Sequence, residues 1–207
     1  MATLAIGQAP TLSAQSSFFA HHPTWVGCLE LARSALYVVF VLCAAAAFLV
    51  HHAPKAEDRR VTIRIVAITA TFLLVVVALF FPLGPKLYSP AKALLWTALG
   101  ISVCGMALAL ASIATLRANF SIVPEARELV VSGPYRFVRH PVYLAELTIT
   151  TGGVIAYPRV VLAFAELLLI ALQVVRIGAE ERLLGNSFST FNGFARATPF
   201  RLLPGIW

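Results

Sequence analysis

A chain of 207 residues that is 59% hydrophobic and only 12% charged cannot hide its apolar surface in a soluble domain, where about a quarter of residues are charged. The bilayer is its natural solvent, as the mean hydropathy of +0.85 also indicates. The net charge of +7 comes with no basic stretch interleaved with aromatics, so it points to loops facing anionic lipid and not to a nucleic-acid surface.

The first apolar run long enough to span a bilayer, about 20 residues, is Val26 to Val50, with Glu30 and Arg33 near its start. The 25 residues before it lack the charged start of a signal peptide, so no cleavable segment is expected. The second run is Val61 to Leu83, closed by the breakers Pro82 to Pro85. The third runs from Ala91 to about Leu116, and the fourth, Pro141 to Tyr157, is short. The fifth runs from Pro158 to about Ile177 and continues as helix past Glu181. Pro158 suits the first turn of that helix, which makes the last two helices an antiparallel hairpin. The expected fold is all-α: one polytopic membrane domain over residues 1–207 with about five transmembrane helices. Cys28, Cys43 and Cys104 sit in apolar runs and read as small buried hydrophobes. The adjacent pairs His21-His22 and His51-His52 lack the i,i+4 spacing of a metal site, and no metal is expected.

Basic residues set the orientation. Of the 16 Lys and Arg residues, twelve fall in three segments: Lys55, Arg59, Arg60 and Arg64; Arg117, Arg127, Arg136 and Arg139; and Arg176, Arg182, Arg196 and Arg201. Lys86, Lys92 and Arg159 lie on the other side, and Arg33 lies in the first span. Five spans with the N-terminus outside and the C-terminus cytoplasmic fit this pattern, as in a bacterial inner membrane. Four or six spans would put one basic segment on the wrong side.

Polar residues concentrate in two segments that this topology places in the cytoplasm. The run from Leu129 to Tyr143 holds the Gly133-Pro134 turn, then Tyr135, Arg136, Arg139, His140 and Tyr143. His140-Pro141 opens a helix whose unpaired N–H groups suit an anionic group; a basic loop binding lipid headgroups is the other reading. In the last helix Glu166, Gln173, Arg176 and Glu180 fall within about 80° of arc at 100° per residue. Such a stripe faces the bundle interior or a wet cavity, although Arg176 and Glu180, at i,i+4, also fit a salt bridge. Glu146 and Glu166 lie within spans, where an ionisable group is costly and functional by default; a protonated carboxyl bonded to a neighbouring helix is the alternative.

These pieces resemble the isoprenylcysteine carboxyl methyltransferase family of intramembrane enzymes. The resemblance rests on Asn119-Phe120-Ser121, on Leu129-Val130 leading to Ser132-Gly133-Pro134-Tyr135, and on Arg139-His140-Pro141 with Tyr143. Glu180-Glu181 with Leu184 and the stretch Pro199 to Pro204 complete it. It covers residues 116–207, the expected catalytic core, and leaves residues 1–115 as N-terminal helices. It implies S-adenosylmethionine as cofactor, with the backbone at Glu128, Leu129 and Val130 holding the adenosine. Tyr135, His140, Pro141 and Tyr143 would line its methionine part, and Glu180 would hydrogen-bond it. Arg176 would orient the substrate carboxylate, making it the catalytic residue; apart from the resemblance, Glu146, an ionisable group within a span, is a further candidate for binding substrate.

The implied reaction is methyl-ester formation on a lipophilic, isoprenylcysteine-like or prenylated substrate, with membrane lipids as the other partner. Two departures bear on that substrate. The run Phe188 to Phe194 is shorter than the family's and has Phe in place of Tyr, and Glu146 stands where many members have Gly. A phospholipid or amine N-methyltransferase using Glu146 as base is an alternative, as is a nicotinamide-dependent membrane reductase on a related helical core. A lipid-binding subunit without catalysis is the non-enzymatic alternative.

Overall fold

The computed structural model describes residues 54–81 and 84–207; the first expected span, Val26 to Val50, lies outside them. The described residues form five helices and one two-stranded ribbon. Helix α1 spans Val61–Phe80. It stops short of Pro82, and Phe81 takes extended backbone, the conformation a following proline imposes. Helix α2 spans Lys92–Leu116 and α3 Pro141–Ala156, with proline at its first turn. Helix α4 spans Val160–Ser187 and α5 Phe191–Ala197.

Two of these, α2 and α4, are long and apolar enough to cross a membrane by length and composition, while Val61–Leu74 of α1 and all of α3 are shorter apolar stretches. Phe164, Leu167 and Leu168 of α4 and Ile65, Ile68 and Phe72 of α1 stand exposed. Exposed apolar helix faces of this kind suit hydrocarbon rather than water. Cys104 is also exposed on α2, not buried as its apolar context predicts; in a bilayer an apolar neighbourhood is no sign of burial inside the protein.

α2 packs mainly on α3, α1 on α4, and α3 beside α4. The α2–α3 seam is close because it is lined by small residues. A Cβ on Gly152 would lie 2.7 Å from the Ala98 carbonyl oxygen, so only glycine allows that approach. α3 and α4 form the expected hairpin, with one difference at the turn. Pro158 lies outside α4, which begins at Val160 after an extended Arg159. The reason is pairing with the α1–α2 connection: the Pro158 carbonyl accepts from Leu87 N at 2.8 Å, and Val160 N donates to the Pro85 carbonyl at 3.3 Å. At the other end of the bundle β1 (Ala56–Glu57) pairs antiparallel with β2 (Glu125–Ala126). That ribbon ties the segment before α1 to the loop between α2 and α3.

Candidate active site

A cavity of about 240 Å³ opens at the ribbon end, walled by α1, α2, α3 and α4 and roofed by residues 119–130. Each wall is placed by a local sequence feature. Gly133, at φ +56°, starts a 3-10 turn over Gly133–Arg136; a Cβ there would meet Thr115 Oγ1 at 2.6 Å. Left-handed backbone at close approach thus admits only glycine. The turn buries Tyr135 at the cavity. Burial pushes its hydroxyl pKa well up, and the Glu180 charge adds to this, so the phenol stays protonated.

The His140 segment is held from two sides. Arg139 N donates to the Phe200 carbonyl at 2.9 Å and His140 N to the Arg201 carbonyl at 3.0 Å, so the C-terminal segment pairs with the residues opening α3. Glu181 then gathers three partners: Arg139 Nη1 at 2.8 Å, Arg201 Nε at 2.9 Å and His140 Nε2 at 3.3 Å. Burial pushes the Glu181 carboxyl up, but His140, Arg201 and Arg139 outweigh it and hold it below the ordinary carboxylate value. Burial likewise lowers the Arg139 pKa, against the attraction of Glu181.

One turn along α3, the Tyr143 ring lies parallel to His140, with centroids 5.5 Å apart. The Tyr143 hydroxyl donates to Glu180 Oε2 at 2.5 Å. The Arg176 guanidinium sits 4.4 Å from the centre of the Tyr143 ring. Arg176 is buried, donates through Nη2 to the Ile122 carbonyl, and reaches Thr71 Oγ1 at 3.4 Å. Its Nε has no partner among the described residues. Glu180 bonds Tyr143 and faces His140, so the i,i+4 salt bridge open to the sequence is not formed. Deeper, Gln173 Nε2 donates to Glu146 Oε2 at 2.7 Å, and Glu166 Oε1 accepts from Thr150 at 3.1 Å and Thr151 at 2.8 Å.

The cavity brings together Glu128, Leu129, Val130, Tyr135, His140, Tyr143, Glu146, Arg176 and Glu180. Pro141 is not among its wall residues: it is fully buried at the first turn of α3, where it shapes the backbone that presents His140. Thr71 and Asn119 were missed. A lone threonine in an apolar helix carries little signal. Asn119 Nδ2 donates to Glu128 at 3.2 Å, while its buried Oδ1 has no partner among the described residues. It lies in the Asn-Phe-Ser run already singled out, so a polar residue just after a helix end was the available clue.

The residues present fit S-adenosylmethionine in chemical type. The Glu180 carboxylate among the rings of Tyr135, His140 and Tyr143 suits a cation, by charge and by ring face. Leu129 and Val130 offer apolar contact, and the orphaned Asn119 oxygen can accept an N–H.

Apolar helices around a polar, partly buried cavity are the architecture of a helical membrane protein with an internal site. Residues 98–186, less than half of the chain, match the model of the isoprenylcysteine carboxyl methyltransferase (ICMT) family. The resemblance read from the sequence is thereby shown: this segment carries the signature of a family of membrane methyltransferases. A comparison with curated proteins finds none that matches.

Proposed function

We propose that the protein is an integral membrane enzyme that moves a methyl group from S-adenosylmethionine to the carboxylate of a lipophilic, isoprenylcysteine-like substrate, giving a methyl ester. The observation that carries the acceptor class is Arg176. It is a buried cation at the cavity, stacked on Tyr143, with Nε unpartnered and only neutral groups as hydrogen-bond partners. The Glu146 charge reaches it only through space; a buried donor left unmet is costly, and a carboxylate on the guanidinium fork meets it.

When bound, S-adenosylmethionine supplies an electrophilic methyl group on sulfur. Glu180, His140, Tyr135 and Tyr143 would hold its methionine part, and the backbone at Glu128, Leu129 and Val130 its adenosine. A carboxylate acceptor is already ionised at neutral pH, so no residue need act as general base. Arg176 orients the acceptor oxygen, and alignment of this kind supplies several kcal/mol of a displacement barrier. The lipophilic part enters between helices, and the cofactor comes from the cytoplasmic side.

Titration calorimetry with S-adenosylmethionine, followed by transfer of labelled methyl to a native lipid extract, tests the proposal. The wild type binds, and His140→Ala or Glu180→Ala weakens binding by about 1–3 kcal/mol, the scale of a lost charged hydrogen bond. Absence of binding by the wild type, or unchanged affinity in both variants, overturns it.

A further inference from the structure

Beyond Arg176 the cavity wall carries the carboxylate of Glu146 among the apolar Ile149 and Leu169. Glu146 and Gln173 stand three residues further in than Tyr143 and Arg176, about 4.5 Å at 1.5 Å per residue. Gln173 occupies only Oε2 of Glu146, at 2.7 Å; Oε1 accepts no hydrogen bond among the described residues, and Glu146 faces the cavity. Gln173 is fully buried behind Glu146, outside the cavity wall, where it holds that carboxylate in place. One turn deeper, Thr150 borders the cavity and donates to Glu166, whose buried Oε2 is also unpartnered. The unmet atom that faces the cavity is Glu146 Oε1. A partly satisfied polar network in low dielectric is costly, and its complement is a donor on the ligand. A plain hydrocarbon tail would leave this oxygen unmet.

We infer that the acceptor substrate carries a hydrogen-bond donor, a hydroxyl or a protonated amine, on its lipophilic part about one helical turn from the carboxylate, and that Glu146, held in place by Gln173, selects it. This deepens the proposed function and rests on its placement of a carboxylate at Arg176. The selected class is a polar-substituted lipid acid.

The test uses the full chain in phospholipid nanodiscs. Its probes are hexadecanoic acid and two analogues of equal length bearing a hydroxyl or an amine four or five carbons from the carboxyl. Binding is read by thermal shift, and S-adenosylmethionine affinity separately by calorimetry. The wild type binds at least one substituted acid about tenfold more tightly than the plain one, the scale of a hydrogen bond completed in a buried site. Glu146→Leu and Gln173→Leu bring that ratio towards one. Glu146→Gln, which keeps an acceptor oxygen and loses the charge, retains preference for the hydroxyl and loses it for the amine. Equal binding of all three acids by the wild type overturns the inference, as does an undiminished ratio in both Glu146→Leu and Gln173→Leu. A ratio that is present and lost in those variants, without S-adenosylmethionine binding, upholds the selection while the methyltransferase proposal falls. Methyl transfer to all three acids alike does the opposite.

Discussion

Arg176 is where sequence and structure meet most closely at the level of a single residue. Its place on the polar face of the last helix follows from 100° periodicity, and its neighbour at i+4 was legible as Glu180. Its actual contacts were not: a ring from α3, a hydroxyl from α1 and the carbonyl of Ile122. A backbone carbonyl in an irregular loop leaves no mark in a sequence, and a ring face gives no sign of what will lie over it. The role proposed for Arg176 has a sharp test. Arg176→Lys keeps the charge and loses the planar fork. Its kcat/KM for methyl transfer falls by about 10²-fold or more, as when a charged contact at the reacting group is lost, while cofactor affinity changes little. The product releases its methyl in alkali, as an ester does. Full activity in Arg176→Lys, or an alkali-stable product as an amine acceptor would give, defeats the carboxylate assignment and leaves methyl transfer standing.

Among the elements, the helices were readable because apolar runs and proline breaks are local signals, which is why α1, α2 and α3 begin and end within a few residues of expectation. The start of α4 was misread at Pro158, since a bridge to the distant Pro85–Leu87 segment decided it. The α2–α3 seam offers a paired test. Gly152→Ala pushes a methyl against the Ala98 carbonyl, whereas Gly153→Ala meets nothing within 4 Å. Thermal unfolding in detergent should show Gly152→Ala less stable by about 1–3 kcal/mol, the usual cost of overpacking. Gly153→Ala should be neutral or slightly stabilising, because alanine restricts the unfolded chain. The C-terminal clasp offers another. Glu181 lies on the polar extension of α4 past Ile177, and its folded pKa lies below the ordinary 4.5. The clasp's contribution is therefore complete above that value and lost as pH falls through the lowered one. Hydrogen-exchange protection factors of the Arg139 and His140 amides, which bond the Phe200 and Arg201 carbonyls, should be high at neutral pH and fall as pH drops through the lowered Glu181 value. Equal protection on either side of that value would show that the ion cluster does not hold the segment.

On the scale of the whole molecule, the asymmetry of charge becomes an asymmetry of ends. Lys86, Lys92 and Arg159 mark the end where the α1–α2 and α3–α4 connections pair. The other basic residues of the described chain belong to the segments that surround or adjoin the cavity. By the positive-inside rule we propose that the cavity mouth and C-terminus face the cytoplasm. Reporter fusions after Lys55, after Arg127 and at the C-terminus should report cytoplasmic positions; a C-terminal fusion active only outside the cell would reverse both the orientation and the side from which cofactor enters. The gathering of the site was only partly visible in advance. The two polar clusters could be seen, but the ribbon joining residues 56–57 to 125–126, and the return of residues 200–201 to the start of α3, depend on contacts distant in sequence that no local pattern encodes.

Under the proposed reaction, the buried Arg176 guanidinium has a kinetic consequence. Before reaction, an anionic acceptor would meet the Arg176 Nε that has no partner among the described residues. Esterification removes the acceptor's charge, so the product no longer has any hold on Arg176, while its greater oiliness favours the surrounding lipid. On that proposal the side chain that captures the acid would release the ester, and the cavity would clear at each turnover. Unreactive acids of matching shape should be strong competitors and the corresponding methyl esters weak ones.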